Sequence, residues 1–210
     1  MPSNDSQDDA GLERLLRGGA DASTPQWAAA RARFAARALA DGLVDVAYED
    51  HDTPLGTVRI NATSTGIVRL VLPAEDADAA VEDLARKLST RILRTSSPMI
   101  TLARRELDEY FEARRRAFDV PLDWALSKAF RREVLQVTAQ IPYGQTSSYR
   151  KVATAAGSPS AVRAAGSALA TNPLPILVPC HRVLRTDGSL GQYRGGQAAK
   201  TQLLSLERTN

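Results

Sequence analysis

The chain has 210 residues, of which 43% are hydrophobic and 24% are charged, and its formal net charge is +3. This length can bury a sizeable core in one domain or two small ones, and the composition is ordinary for a soluble globular protein. One cysteine and two histidines exclude an internal disulfide and supply too few ligands for a structural zinc site. We therefore expect neither a metal nor a cofactor.

Composition also bears on location and partners. No apolar run reaches the ~18–20 residues of a membrane helix, and the polar N-terminus lacks the apolar core of a signal peptide. Because a free thiol needs a reducing compartment, we expect a cytoplasmic protein. Residues 125–210 contain 11 Lys or Arg against three acidic residues, whereas residues 1–124 contain 16 against 21. This asymmetry indicates a polyanionic partner for the basic half.

Residues 1–42 are predicted to form an N-terminal extension with one helix. Thr24 suits the capping position, Pro25 suits the first turn, and Gly42 is a stop signal. The apolar residues of this helix are predicted to share one face: Trp27, Ala30, Phe34 and Ala38.

Residues 43–117 are predicted to form an α+β domain. Alternating apolar residues around 44–48 and 58–62, followed by the apolar run 67–72, are separated by turn residues and indicate an antiparallel meander. Helices are predicted over residues 77–88 and 99–116. His51 is interpreted as a solvated residue of a strand connection, and the sequence indicates no site in this domain.

Residues 118–126 are predicted to be a linker, and residues 127–210 a mostly helical domain. Ser127 is predicted to cap its first helix, residues 149–156 to form a second, and Ser158 to cap a third. Helix, glycine-containing turn and helix is the layout of a helix-turn-helix. The third helix presents a nearly smooth stripe, which either packs tightly on a neighbour or approaches DNA closely; its residues are Ala161, Ala164 and Ala168, beside Gly166.

The only cysteine, Cys180, follows an apolar run that ends at Pro179 and precedes His181 and Arg182. Since proline cannot continue a strand ladder, the thiol is predicted to lie at the end of a stiff segment. A lone cysteine is commonly a small buried residue, whereas a nucleophilic thiolate needs a base or a positive environment. His181 and Arg182 supply one candidate setting.

Residues 172–183, from Asn172 to Val183, closely resemble the active-site segment of the O6-alkylguanine-DNA alkyltransferases. Residues 141–149, 161–166 and 191–196 fit the same family in the same order, and the end of the chain continues the pattern with Lys200, Leu203, Leu204 and Glu207. The Pro-Cys-His-Arg tetrapeptide alone is moderately specific, but the ordered set is very specific. Some members bind zinc in the N-terminal part, and this chain lacks those ligands.

The resemblance implies a fold and an activity. The fold is α+β, with a small antiparallel-sheet N-terminal domain and a mostly helical catalytic and DNA-binding domain, residues 127–210, containing a winged helix-turn-helix. The activity is a single-turnover repair reaction on double-stranded DNA. It transfers a methyl or other alkyl group from O6-alkylguanine, with O4-alkylthymine a second candidate lesion, irreversibly to Cys180 after base flipping. No obligate protein partner is implied, and we expect a monomer.

The resemblance also assigns roles to single residues. In the catalytic set, His181 takes the proton of Cys180 through one water, Glu207 orients His181, Asn172 braces the turn, and Tyr149 donates its hydroxyl to guanine N3. Arg163 fills the place of the flipped base. The other expected DNA contacts are Tyr149, Ala161, Ala164, Gly166 and Arg182, and the base pocket is expected to include Val183, Tyr193 and Arg194.

Several of these residues have simpler interpretations. On the residues alone, an exposed helix position is the favoured interpretation of Glu207, and only the resemblance reverses it. Arg163 also suits a phosphate contact, and Arg182 suits either a phosphate contact or structural packing. Arg194 stands where the family varies between small residues and Arg, so it bears on pocket size and on the breadth of alkyl groups accepted. Two other functional classes compete: a non-catalytic DNA-binding regulator or lesion sensor, and a cysteine hydrolase.

Overall fold

The computed structural model describes residues 24–208. The chain divides into two compact units, residues 1–44 and residues 45–210. Whatever the sequence predicts for residues 1–23 and 209–210 lies outside the described residues. Within residues 24–208, no helix has the length and apolar character needed to cross a membrane.

The first unit contains helix α1 (Pro25–Ala40). Its start is as predicted, because Thr24 Oγ1 accepts a hydrogen bond from the Trp27 amide at 3.3 Å and proline occupies the first turn. Gly42 follows the helix with a φ of 68°, which glycine adopts without strain. The predicted apolar face is wrong at Phe34, which is 57% exposed.

The second unit begins with a four-stranded sheet in the order β3-β2-β1-β4. Its strands are β1 (Val46–Thr53), β2 (Gly56–Ala62), β3 (Ile67–Val71) and β4 (Ile92–Arg94). The pairs β1–β2 and β2–β3 are antiparallel, which confirms the meander. Strand β4 was not predicted, and it pairs with β1 in parallel, so the sheet is mixed.

His51 does not lie in a connection between strands, as the sequence suggested. It belongs to β1, its side chain is only 11% exposed, and Nε2 lies 2.7 Å from Asp108 Oδ1. The prediction failed because β1 continues to Thr53 through polar residues, which carry no alternating apolar signal.

Two helices cover this sheet region, α2 (Ala77–Lys87) and α3 (Pro98–Phe111). Helix α2 has nearly the predicted bounds and is capped by Asp76, whose Oδ1 accepts from the amides of the first turn. Helix α3 ends at Phe111 rather than near residue 116, because the backbone turns left-handed at Ala113, with a φ of 59°. Its buried face contributes Ile100, Ala103, Leu107 and Tyr110 to the core.

The expected linker, residues 118–126, is an extended segment bonded to β3. The Ile67 amide donates to Pro121 O at 2.8 Å, and the Asp123 amide donates to Ile67 O at 2.8 Å. A Cβ at Gly66 would lie 2.3 Å from Pro121 O, so only glycine allows this close approach. The edge of the sheet is thereby covered where the chain passes toward the helical part.

The helical part contains two short strands, β5 (Ser147–Ser148) and β6 (Val183–Leu184), paired in parallel. Its helices are α4 (Ala129–Ala139), α5 (Tyr149–Ala155), α6 (Val162–Ala170), a short 3₁₀ helix (Cys180–Arg182) and α7 (Gly196–Arg208). Helices α5 and α6, joined by a turn through Gly157, form the predicted helix-turn-helix.

Two predicted helix starts in this part are wrong. Ser127 is buried and does not cap α4, since Lys128 occupies that position without a side-chain cap bond. Helix α6 begins at Val162 rather than at Ser158, because the Ala161 amide donates to Ser158 O at 2.9 Å and closes a turn before the helix.

Candidate active site

Cys180 is the first residue of the short 3₁₀ helix and is 4% exposed. The whole run of residues 172–184 is buried. Asn172 holds this segment together: its Nδ2 donates to Val178 O at 3.0 Å and to Cys180 Sγ at 3.2 Å, and its Oδ1 accepts from the Leu174 amide at 2.9 Å. One amide side chain therefore fixes both ends of the loop and contacts the thiol.

The thiol is not ionised by its surroundings, contrary to what the neighbouring cations suggested. Burial raises the pKa of Cys180 to about 11, although the Asn172 hydrogen bond and the charges of Lys200 and Arg194 act in the opposite direction. At neutral pH the resting side chain is a neutral thiol. A base must remove its proton before it can act as a nucleophile.

His181 follows Cys180 directly in the short 3₁₀ helix. It is fully buried, and its Nε2 lies 2.9 Å from Glu207 Oε1. Burial lowers the pKa of His181, against the effect of the Glu207 carboxylate, so the imidazole is neutral. Because Nε2 donates its hydrogen to the carboxylate, Nδ1 carries the lone pair that can accept a proton. Nδ1 has no hydrogen-bond partner among residues 24–208.

Glu207 is buried, 3% exposed, and is the acceptor at the centre of a network rather than an exposed helix residue. Besides His181, it accepts from Arg182 Nε and Nη2, both at 2.8 Å, and from the Gly144 amide at 3.2 Å. Burial acts to raise its pKa, but hydrogen bonds from His181 and Arg182 prevail and hold that pKa at about 2. Glu207 is therefore a carboxylate throughout the neutral range.

The expected phosphate contact by Arg182 is contradicted by its position. The side chain is 7% exposed, with two nitrogens on Glu207 and Nη1 donating to Ile141 O at 2.5 Å. Its charge is neutralised inside the protein, which agrees with the structural alternative for this residue.

A further partner of Glu207 was not predicted. Tyr110, on α3 of the sheet region, donates its hydroxyl to Glu207 Oε1 at 2.7 Å and is fully buried. Its place on an apolar helix face marked it only as a core residue. Lys200, another buried residue, donates from Nζ to Val183 O at 2.7 Å and had been noted only as part of the family pattern.

A cavity of about 480 Å³ lies between α5, α6 and the segments at residues 185–186 and 191–192. Tyr149 lines it, and burial and the nearby Cys180 raise the pKa of this phenol, so that its hydroxyl stays a proton donor at neutral pH. A Cβ at Gly191 would lie 2.0 Å from Tyr149 Oη, so glycine is required there. Arg163 and Arg185 line the same cavity.

Helix α6 presents a mixed surface around this cavity. Ala164 and Arg163 are exposed, and Ala161 and Gly166 are half-buried. Ala168 is 4% exposed and faces the core, so the predicted exposed stripe is wrong at that position. Arg163 makes no ion pair within the part of the chain that the structure describes.

Of the expected base-pocket residues, Tyr193 and Arg194 lie close to Cys180. Val183 is fully buried, and the ring of Tyr193 lies 6.3 Å from that of His181 at 86°. The side chain of Arg194 forms an ion pair with Glu75, just after β3. Among residues 24–208 no cluster of His, Cys, Asp or Glu could hold a metal ion.

Comparison with protein families matches nearly all of the second unit. Residues 129–209 match the DNA-binding domain of 6-O-methylguanine DNA methyltransferase, and residues 46–124 match its ribonuclease-like domain. The constitutive methylated-DNA–protein-cysteine methyltransferase of Bacillus subtilis is 38% identical over 165 residues, covering 77% of this chain and 94% of that protein. The chain belongs to the O6-alkylguanine-DNA alkyltransferase family.

Other relatives of this alkyltransferase agree. Escherichia coli Ada, a bifunctional transcriptional activator and DNA repair enzyme, is 36% identical over 79% of this chain and 46% of its own length. The Mycobacterium tuberculosis O6-methylguanine methyltransferase structure has a TM-score of 0.67 at 31% identity, covering 78% of this chain and 93% of that one. An M. tuberculosis OGT structure in complex with DNA has a TM-score of 0.65 with the same identity and coverage. The α+β alkyltransferase fold is thus confirmed.

Proposed function

We propose that this protein repairs DNA by transferring the alkyl group of O6-alkylguanine to its own Cys180, once per chain. The activity is that of its family, and one observation carries the assignment of residues. The buried thiol of Cys180 accepts a hydrogen bond from Asn172, and the next residue is the neutral His181. The Nε2 atom of His181 is hydrogen-bonded to the buried carboxylate of Glu207. This is the arrangement of a nucleophile, a base and an orienting acid.

The transfer step follows from these groups. His181 Nδ1 takes the thiol proton through one water, and Glu207 stabilises the imidazolium that forms. The sulfur then bonds to the alkyl carbon as the carbon–O6 bond breaks, and that electron pair stays on guanine. Tyr149 donates its hydroxyl to guanine N3 and neutralises the leaving base. The thioether on Cys180 is not a leaving group, so each chain reacts once.

The target must leave the base stack to reach a buried sulfur. Extruding a nucleotide costs a few kcal/mol, on the order of the unstacking and unpairing energy. Arg163 is exposed on α6 at the rim of the cavity, without an ion pair among the described residues, and can enter the place of the extruded base. The side chains of this helix surface are small, at Ala161, Ala164 and Gly166, so the helix can approach the duplex closely.

The finer parts of the proposal concern organisation and location. We place the extension at residues 1–42, the first domain at 43–117, the connecting segment at 118–126 and the catalytic domain at 127–210. We infer a cytoplasmic monomer, because the mechanism needs a reduced thiol and a single chain holds every residue that the transfer uses. Sedimentation of the free protein and of its complex with DNA tests the monomer.

The deciding experiment treats the protein with duplex DNA that contains O6-methylguanine and measures its intact mass. We expect one methylene-equivalent per chain, located on Cys180 by peptide mapping. Cys180→Ser should bind the same DNA and gain no mass. Repeated turnover points to a hydrolase, binding without any mass gain points to a lesion sensor, and label on another residue overturns the assignment of Cys180.

A further inference from the structure

Residues 191–196, here called the pocket loop, line the cavity at Gly191 and Gln192 and bring Tyr193 and Arg194 close to Cys180. Both ends of the loop approach other residues too closely for a side chain. A Cβ at Gly191 would lie 2.0 Å from Tyr149 Oη, and a Cβ at Gly195 would lie 2.8 Å from Leu72 Cδ1. Between them Tyr193 is buried with its ring edge-on to that of His181. The position of this loop therefore sets the room available at the sulfur.

Arg194, in the middle of the pocket loop, is held by a residue from the sheet region. Its Nε pairs with Glu75 Oε2, and the two side chains are 25% and 11% exposed. Arg194 also lies near enough to the sulfur for its charge to act on Cys180. Because this long side chain lies close to the thiol, its placement affects the surroundings of Cys180 directly.

Glu75 is a fixed anchor and not a mobile surface residue. Its Oε1 accepts from the Leu72 amide at 3.0 Å, and its Oε2 lies 3.5 Å from Arg69 Nη2. Arg69 is itself held by Asp83 at 3.2 Å. Two arginines and a backbone amide thus determine where the carboxylate lies.

The sheet region also contacts the opposite wall of the site. The Leu70 amide of β3 donates to Pro173 O at 2.8 Å, next to the Asn172 that bonds the thiol. The end of β3 and the turn after it therefore touch both segments that enclose Cys180. A change at Glu75 would alter one of these two contacts and leave the other in place.

We propose that Glu75 is a specificity-determining residue: its ion pair with Arg194 holds the pocket loop against the sheet and restricts transfer to small alkyl groups. The inference rests on the proposed function of Cys180. A methyl group fits beneath a loop held at both ends and in the middle, whereas a benzyl group requires the middle of the loop to move outward. Releasing Arg194 frees that middle part alone.

The test is single-turnover transfer from oligonucleotides that carry O6-methylguanine or O6-benzylguanine, with the full chain and its variants. For Glu75→Gln and for Arg194→Gln, we expect the benzyl-to-methyl rate ratio to rise roughly tenfold, equivalent to about 1.4 kcal/mol of activation free energy. The double variant should show no further rise, because both changes break one interaction. The affinity of these variants for unmodified duplex should differ little from that of the parent protein.

The matched control is Asp50→Asn, which breaks the ion pair of Asp50 with Arg59, at 2.7 Å in the same sheet and away from the pocket loop. Its rate ratio should equal that of the parent protein. If Glu75→Gln fails to fold, as a thermal melt would show, Arg194→Gln decides the question alone. An unchanged ratio in Arg194→Gln, or additive effects in the double variant, overturns the inference. Absence of methyl transfer by the parent protein would refute the proposed function instead.

Discussion

The sheet region and the helical region of the second unit treat their basic residues in opposite ways. Between residues 45 and 124 the basic side chains that form ion pairs are Arg59, Arg69, Arg86, Lys87, Arg91, Arg94, Arg104, Arg105, Arg114 and Arg115. Between residues 128 and 208, within the described chain, Arg182 and Arg194 form ion pairs. The basic side chains that form none there are Lys128, Arg131, Arg132, Arg150, Lys151, Arg163, Arg185, Lys200 and Arg208.

Ion pairing, and not only the number of charges, distinguishes a surface that attracts DNA from an ordinary one. A paired arginine already has its charge compensated and contributes little field at a distance. An unpaired one attracts phosphate and releases counterions on binding. In the helical region Glu207 is buried, Glu133 and Asp187 are exposed, and the exposed cations form no ion pair among the described residues.

The largest expected effect concerns the thiol, the one reactive group in the helical region. Since burial holds the pKa of Cys180 at about 11, labelling of the native protein by iodoacetamide should rise about tenfold per pH unit from neutrality upward. In denaturant the same cysteine should show an ordinary midpoint, at about 8.5. Equal midpoints in the two states would show that burial does not control ionisation of this thiol.

The next effect tests what the unpaired Arg163 does. Arg163→Lys keeps the charge but loses the planar guanidinium. If that guanidinium offsets the free energy of extruding the base, transfer from paired duplex should slow roughly ten- to a hundredfold. The defect should shrink on a mismatched or single-stranded lesion, where extrusion is easy. Equal slowing on all three substrates would assign Arg163 to phosphate binding or structure.

Tyr110 tests whether the sheet region supports the chemistry of the helical one. The pKa of Glu207 is about 2 against an ordinary 4.5, so its stabilising effect is complete above about 4.5 and is lost as the pH falls toward 2. Tyr110→Phe removes one donor and should raise that folded-state pKa. The free energy of unfolding of the variant should fall by about 1.5–3 kcal/mol at neutral pH. The loss of stability between pH 4.5 and 2 should be smaller in the variant than in the parent protein.

The control for Tyr110 is another buried tyrosine in the same site. Tyr193 Oη has no hydrogen-bond partner among residues 24–208, so Tyr193→Phe should leave stability unchanged or raise it. Denaturant unfolding measured across the acid range compares the two variants. Identical pH dependence in both would mean that the Tyr110 hydroxyl does not stabilise the Glu207 carboxylate.

The smallest effect compares one unpaired and one paired arginine directly. Arg185 lines the cavity without an ion pair among the described residues, whereas Arg104 pairs with Glu49 at 3.2 Å. Arg185→Gln should reduce the slope of log affinity against log salt by about 0.9, the value for one phosphate contact. Arg104→Gln changes net charge equally and should leave the slope alone. Equal changes would mean that net charge, and not pairing, governs binding.

Local signals in the sequence predicted much of the fold. The cap at Thr24, the meander and the turn at Gly157 depend on residues close in the chain, and all three are confirmed. Strand β4 was missed because three residues carry no periodicity and pair only through contact with β1. The predicted start of α6 was wrong because Ser158 and Pro159, which suit a helix start, also suit the turn that residues 158–161 form.

The site was predicted only as far as resemblance reached. The resemblance predicted four residues of the site, and the structure brings them together: Cys180, His181, Asn172 and Glu207. Their ionisation states could not be read from the sequence, since burial decides them. Tyr110 could not be found either, because it meets Glu207 across 97 positions and lies among apolar residues.

That long separation has a consequence for how the molecule assembles. Tyr110 meets Glu207 across 97 positions and Glu75 meets Arg194 across 119, so both contacts close large loops and bring a high entropic cost before they form. Local helices and the meander can form earlier, with the thiol still lacking its surroundings. The surroundings of the sulfur are complete only when the two regions have docked.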